Sequence, residues 1–569
     1  MNKMDLKGTG VKSSGCDILG IDLGTTNSAV SVFNAGTVPV LLPVGHNGKY
    51  TVPSCVRWDG GDNFTVGAEA YKERYKPNVI YSVKRMMGSG DKITLVHEDG
   101  KTKKMTPAEV SAKILRHLAD KAAEFHTAVD KCVITVPAYF DQRQITDTVK
   151  AAELAGLNCL QILKEPTSAS FIYSLLGYAN NGAVLIYDLG GGTFDATHMT
   201  FLRKDAVPKK MATSLKKQYG IEINSDSDDV TDQYYSRVIG TYGDMRLGGD
   251  DIDKLFGDTC LERQGIKLSA AGREQLYLRC ESFKKNAAAA AEDVVIDGKK
   301  IHISRTVLEE CVDKIFDRTM RIIEDVDMSE VSTIVLVGGS TKSQRIRDNL
   351  SSAFPGIEIS AVLDPDETVA LGAGAVAKAI SGKKELEYSD VLPLPIGVLV
   401  DEKSVEVCLQ KNTSMPYSVT RSYYTMHDYQ ERITVHLYQG LSSLPENCTY
   451  LGRITVDGIP KKPAGDVCVL LSFILNSQGR LRVVSRVEDI DREEELIIDN
   501  IFSVTGDEGK SETAASDFIT IDDFEYMVVN AVGVPDAELI SMMEKRRALR
   551  EDSDARVALE NDIFAKVFG

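Results

Sequence analysis

Two short stretches constrain this chain more than any others: "GIDLGTTNS" at Gly20 to Ser28 and "YDLGGGTFD" at Tyr187 to Asp195. Each closes an apolar run with an aspartate, a leucine and a glycine-containing turn, and each is followed by a second apolar run, "AVSVF" or "ATHM". The pattern predicts strand, tight turn, strand. Glycine there costs backbone entropy, and the return is a turn whose bare amides can point at an anion that side chains would block. Asp22 and Asp188, at equivalent places in the two copies, would sit beside captured phosphates. Carboxylates there are repelled unless a divalent cation lies between, which implies magnesium held through water. Either turn alone is as readily a plain glycine hairpin. Two copies about 165 residues apart weight the reading towards phosphate. A third element, "STIVLVGGSTKSQRIRDNL", offers a strand, the pair Gly338-Gly339 and a helix start, an arrangement that presents a helix amino terminus to a nucleotide or simply punctuates a strand-to-helix passage. It is neither the GxxxxGK[ST] nor the GxGxxG pattern.

A chain of 569 residues exceeds one hydrophobic core and predicts roughly three or four compact units. Residues 1–380 alternate strand-like runs ("VLIYDL", "KCVITV", "STIVLVGG") with helical patterns at Pro107 to Phe125 and Gln144 to Gly156, which is α/β architecture. Residues 381–396, "SGKKELEYSDVLPLPI", read as a linker, because Pro393 and Pro395 stop helix and central strand alike. Residues 397–505 turn to period-two alternation and predict an antiparallel β domain. Residues 506–569 read as an exposed connection (506–522) and a helical tail from Pro535 to Phe568. The net charge of −17 argues against nucleic acid as a partner, since phosphate-backbone binding needs a basic surface. No apolar stretch reaches a membrane span, and "MNKMDLKGTGVKSSG" lacks the apolar core of a secretion signal, so a cytoplasmic location is expected. The ten cysteines include no CxxC pair and suggest neither zinc nor a disulfide framework.

The motifs "GIDLGTTNS", "VPAYF", "KEPTSAS", "YDLGGGTFD", "LGGDDID", "VLVGGSTK" and "LDPDETVALGAG" follow one another in the order of the DnaK-type, seventy-kilodalton heat-shock chaperones, which this sequence resembles. "KNTSMP", "ITVHLYQG", "LGRITVDGI" and "NSQGRLRV" are similar, more weakly, to that family's peptide-binding domain. The resemblance implies a duplicated, actin-like two-lobed α/β ATPase domain, an antiparallel β-sandwich and a short helical tail. It implies ATP and magnesium as cofactors, with potassium as a further candidate ion. The implied partners are unfolded or extended peptides, a J-domain co-chaperone and a nucleotide exchange factor, with no membrane partner.

Residue by residue, Gly24, Thr25, Thr26 and Asn27 resemble one phosphate loop and Gly190, Gly191, Gly192 and Thr193 the other, with Asp22 and Asp188 beside the hydrated magnesium. Lys84 in "SVKRMMG" matches the catalytic lysine and Glu165 in "KEPTSAS" the carboxylate that orients the attacking water; Thr193 and Asp195 match oxygens near the metal and γ-phosphate. A positioned positive charge suits phosphoryl transfer, which depends on electrostatics and alignment. Pro137 and Arg143 match the coupling switch, in a "YFDQRQ" about two residues shorter than the family's segment. Glu281, Lys284, Lys285, Gly338, Gly339, Ser340, Lys342 and Asp366 match the adenosine pocket. Two departures stand out there: Ala288 replaces a serine, and Lys342 stands where an arginine commonly stacks on adenine. Lysine cannot stack as a planar guanidinium does, so adenine binding weaker than in typical members is expected, and calorimetric ATP affinity in the tight nanomolar range would contradict it.

Ungapped alignment places Val398, Val400, Tyr423, Met426, Ile433 and Val435 around the peptide cleft, with Asp401 where an apolar arch residue is usual and a bias towards basic peptides as the expectation. A structural sandwich would show the same alternation. Residues 203–242 read as a charged surface insertion, Gly88 to Thr106 and Ala287 to Ser304 as shortened regions where exchange factors dock, and the tail as a truncated lid that predicts fast peptide release. Three other classes remain: a sugar or acetate kinase, which would not need residues 396–505; a non-folding relative acting as exchange-factor-like regulator or scaffold; and an actin-like filament former.

Overall fold

The computed structural model describes residues 18–33, 38–125, 130–175, 182–203, 234–361, 363–381, 388–400, 403–476, 479–487, 493–498 and 518–520. Two mixed sheets of one design occupy the α/β part. In the first, the hairpin Ile18–Asp22 and Asn27–Val32 has parallel strands on one flank and an antiparallel one on the other, in the order Asn158–Lys164, Lys131–Val136, Ile18–Asp22, Asn27–Val32, Val40–Leu41. In the second, the hairpin Gly182–Leu189 and Phe194–Arg203 lies between Val331–Val337 and Tyr234–Asp244. The duplication read from the two glycine turns is therefore a duplication of sheets, and both turns sit at the carboxyl ends of the strands that carry Asp22 and Asp188.

Local signals explain the helices that brace these sheets. Thr106 caps Pro107–Ala122 with a reciprocal bond to Glu109, and Asp141 does the same with Gln144 for Gln142–Leu154, satisfying amide donors that a helix start leaves unpaired. Both helices end a few residues before the apolar periodicity does. The helix Thr368–Ser381 crosses the first sheet so closely that a Cβ on Gly20 would lie 2.3 Å from Gly374 N, and one on Gly372 would lie 1.8 Å from Ser168 O. Small residues in "LGAGAVA" thus set the depth at which this helix seats.

The second half is a sandwich of two antiparallel sheets, one ordered Ser404–Leu409, Ile396–Val400, Arg432–Gln439, Thr449–Asp457, the other Glu493–Ile498, Leu481–Val487, Cys468–Leu475, Tyr417–Thr425, Phe518–Thr520. Three expectations are corrected. Tyr234–Asp244, inside the stretch read as a surface insertion, is a strand paired along Phe194–Arg203; aromatic and β-branched residues in "YYSRVIGTY" outweigh the charged run before them. Residues 204–233 of that insertion lie outside the described residues. Phe518–Thr520, read as exposed connection, pairs with Tyr423–Thr425. The stretch read as a linker contributes strands at its described end: Tyr388–Ser389 adds to the edge of Tyr234–Asp244, and Ile396 already belongs to the sandwich. The helical tail and Asp401 lie outside the described residues. Among the described residues, no helix is long and apolar enough to cross a membrane, and their nine cysteines are all unbridged.

Candidate nucleotide site

The two glycine turns face one another. A Cβ on Gly191 would stand 1.8 Å from Thr26 Oγ1, and one on Gly192 would stand 2.2 Å from Thr25 Cγ2, so only bare backbone fits where the lobes meet. The hydroxyl of Ser54 donates to Gly24 O at 2.7 Å and holds the first turn. Gly190 O accepts from Gly249 N (3.0 Å) and from the Ser340 hydroxyl (2.8 Å), which fastens the second turn to the third glycine element and to the start of the helix Gly249–Gln264.

Between the lobes lies a cavity of about 720 Å³. Its phosphate end is lined by Asp22, Gly24 to Asn27, Lys84, Glu165, Asp188, Gly190, Gly191 and Thr193. Its other end is lined by Glu281, Lys284, Lys285, Gly338, Gly339, Ser340, Lys342 and Asp366. The structure thus brings together the residues that the sequence scatters over more than 340 positions, with two exceptions that lie off the cavity wall. Gly192 turns its carbonyl to Arg85 Nε at 2.7 Å. Asp195 is buried behind the wall, and its Oδ1 has no hydrogen-bond partner.

Lys84 and Glu165 form the reactive-looking pair, Nζ to Oε1 at 2.5 Å, with side chains 5% and 9% exposed. Around them sit the buried Asp188 and Asp195 and the half-buried Asp22, whose proton affinities rise together. Burial first, then the Glu165 charge, pushes Asp22 up to about 7 and Asp195 up to about 8, and the same two causes lift Asp188 well above the carboxylate range. One lysine does not balance four carboxylates in a desolvated cleft. The unpartnered Asp195 Oδ1 and Thr26 Oγ1 add oxygens with nothing to bind. Among the described residues no three carboxylate, imidazole or thiol groups converge tightly enough to chelate a metal. This donor set fits a divalent cation held at one remove, through its own water shell, as magnesium commonly is.

A pH prediction follows from Asp195. An aspartate whose folded-state affinity for protons exceeds its unfolded one costs the folded protein stability as pH climbs from the unfolded value to about 8. Without nucleotide or magnesium, Asp195→Asn is expected to exceed the parent in unfolding free energy by on the order of 2 kcal/mol at pH 8, the gap closing towards pH 4. Denaturant titrations at both pH values check this; a gap that is constant, or that widens on acidification, contradicts it.

The cleft is closed by contacts that sequence reasoning missed. Tyr71 Oη donates to Glu281 Oε2 at 2.6 Å and Arg74 Nη1 to the same oxygen at 2.9 Å. Tyr81 Oη donates to Glu274 at 2.7 Å, Ser82 Oγ to Asp250 at 2.7 Å, and Arg85 pairs with Asp251. Each joins partners at least 166 positions apart, so no local pattern could show them; "LGGDDID" was visible as a motif, but not as a partner of this face. Burial alone would raise Glu281, yet Lys285 and Arg74 hold it down to about 2. At the adenosine end Lys285 binds Glu281 at 2.6 Å, Lys284 binds Asp253 at 2.8 Å, and Lys342 binds Asp364 and Asp366, each at 2.6 Å. Lys342 is thus held by two carboxylates. Ala288 is exposed. Arg305, Gln344 and Arg345 also line this end.

Arg143 reaches the sandwich: its Nη2 donates to Thr449 Oγ1 at 3.1 Å, and that hydroxyl donates to Asp141 at 2.9 Å. Pro137 is buried beneath. Immediately before Glu165, Lys164 donates to Val391 O at 3.1 Å and pairs with Asp390 at 3.0 Å, tying residues just before the sandwich to the cleft wall that carries Glu165. The proposed peptide residues behave differently. Val398, Val400, Tyr423, Ile433 and Val435 are packed in the sandwich core rather than around an open groove, with Tyr423 Oη 3.2 Å from Cys408 Sγ, and Met426 is half-buried. Alternation along strands yields inward-facing residues whether they meet a ligand or one another, and here they meet one another.

The sequence matches the family described as Hsp70 protein over residues 18–563. It is 32% identical over 525 residues to a chaperone protein HscA homolog of Acidithiobacillus ferrooxidans, covering 86% of this chain and 79% of that one. Against chaperone protein HscA of Klebsiella pneumoniae it is 32% identical over 523 residues, with the same coverage. Against the HscA homolog of Pseudomonas paraeruginosa it is 33% identical over 500 residues, covering 82% of this chain and 75% of the relative.

Proposed function

Because this chain belongs to the Hsp70 family, an ATP-binding ATPase of chaperone type, we propose that hydrolysis in its cleft controls how tightly the β-sandwich holds an extended apolar peptide. The observation that carries the reading is the pair of contacts made by adjacent residues: Glu165 faces Lys84 in the cleft while Lys164 grips Asp390 and Val391 of the linker. A shift of the linker therefore acts on the strand end that places Glu165.

In the cleft, the amides of Gly24 to Asn27 and Gly190 to Thr193 bind the phosphates. Glu165 orients a water for in-line attack, accepting its hydrogen bond, and Lys84 supplies positive charge where the transferred group gains negative charge. Magnesium, held through water by Asp22 and Asp188, would neutralise the phosphate oxygens. Thr193 on the cavity wall, with Asp195 behind it, would supply further oxygens to such a cation, with potassium as a further candidate ion. Glu281, Lys284, Lys285, Ser340, Lys342 and Asp366 hold the adenosine, with all three lysines already engaged by carboxylates, in keeping with modest adenine affinity. Arg143 and Pro137 relay the state of the cleft to the Thr449 edge of the sandwich. The peptide is taken where Val398, Val400, Tyr423, Met426, Ile433 and Val435 cluster, after that sandwich end opens, with a J-domain protein and an exchange factor as partners and the cytoplasm as the compartment.

The sealed packing of those residues favours one second reading, a relative whose sandwich serves as regulator or scaffold without peptide turnover. Single-turnover ATP hydrolysis with and without an apolar peptide separates the two. Acceleration of several-fold in the intact chain, absent from a version ending near Ile380, supports the first; identical rates with and without peptide support the second.

A further inference from the structure

Cys132 and Cys159 occupy directly opposed positions on the parallel strands Lys131–Val136 and Asn158–Lys164. Paired residues of parallel strands project their side chains from the same face, and adjacent strands run about 4.8 Å apart, within the Cα separation a disulfide spans. Both side chains pack into the same apolar cluster, where the Cys132 thiol donates to Asn158 O at 3.9 Å and the Cys159 thiol to Gln161 O at 3.5 Å. They are not equivalent. Cys132 is fully buried, whereas Cys159 is partly exposed beside a register shift that leaves Leu160 bulged out. The neighbouring Cys159 sulfur, then burial, drives the Cys132 thiol up, while the Cys132 thiol beside it favours the thiolate of Cys159. The cleft chemistry uses neither group.

We propose that this pair is a peroxide-responsive modification site, in which Cys159 is oxidised first and Cys132 resolves it to an intramolecular disulfide. The Cys159 thiolate attacks one oxygen of hydrogen peroxide, forming an S–O bond and breaking O–O; the departing hydroxide takes a proton and leaves as water. Cys132 sulfur then attacks the sulfenic acid, forming S–S and breaking S–O, and its proton accompanies the second hydroxide as water. Two thiols supply two electrons, and one peroxide becomes two waters. The product fastens together the strands that deliver Pro137 and Glu165, and a thiol reductant reverses it.

The test uses the full chain treated with hydrogen peroxide, then alkylated and mapped by peptide mass. A linked peptide pair containing Cys132 and Cys159 that vanishes on reduction by dithiothreitol is the expected result. In Cys132→Ala, the sulfenic acid at Cys159 cannot be resolved, so its capture by dimedone should rise about tenfold over the parent. Absence of the linked pair in the parent chain, or pairing of Cys159 with another cysteine, overturns the proposal. Dimedone capture equal in parent and variant also overturns it. The parent measurement decides alone should the variant not fold.

Discussion

Lys84→Ala is expected to lower single-turnover ATP hydrolysis by about 10²–10³-fold, the usual cost of removing one donor aimed at developing transition-state charge. Lys84 Nζ lies 2.5 Å from Glu165 in a site almost closed to water, so no solvent ion can take its place at comparable strength. Glu165→Gln should fall by a similar factor, because it keeps the shape but loses the charge that orients the water. Since the two act as a unit, the double variant should be little worse than the poorer single one. Removing one partner leaves the other charge buried, at a stability cost of about 3–5 kcal/mol. Nucleotide binding measured on each variant therefore separates lost chemistry from lost folding. Hydrolysis within threefold of the parent in a variant that still binds ATP would remove Lys84 from the mechanism.

Arg74→Ala should speed ADP release by about 10–100-fold, the second large effect. Arg74 and Tyr71 converge on Glu281, which lines the nucleotide cavity, with side chains of Arg74 and Glu281 only 5% and 8% exposed. Breaking a buried pair is worth several kcal/mol, part of which is felt only in the closed cleft. Tyr81→Phe, which removes one hydroxyl contact to Glu274 at the less buried margin, should change release by only about fivefold or less. Displacement of a fluorescent ADP by excess ATP measures both. Equal rates in parent and Arg74→Ala would mean that these contacts do not hold the lobes shut.

Much of this was legible in the chain, and the reason is physical. Glycine turns after an apolar run announce themselves because no other residue type serves, and their repetition after Asp22 and Asp188 marks two equivalent turns, while the duplicated domain around them was implied by the family resemblance. Lys84 and Glu165 became meaningful only through resemblance, since a lysine next to an arginine in "SVKRMMG" carries no local sign of burial. The lobe clamp was invisible for the same reason: Arg74 and Glu281 are 207 positions apart and look like ordinary surface charges. The strand Tyr234–Asp244 was hidden by the charged run before it, whose composition drew the insertion boundary too far. The sandwich shows where such patterns stop: Tyr423 and Val435 fit the pattern for an inward face, and the pattern does not say what that face touches.

Both lobes owe their assignment to one claim, that the amides of two hairpin turns meet on a single polyphosphate. A crystal structure of the chain with magnesium and a non-hydrolysable ATP analogue tests it. The β- and γ-phosphates should lie between Gly24–Asn27 and Gly190–Thr193, with Lys84 and Glu165 facing the γ-phosphate and the base beside Lys285 and Lys342. Phosphates bound elsewhere, or turned away from either hairpin, would contradict it.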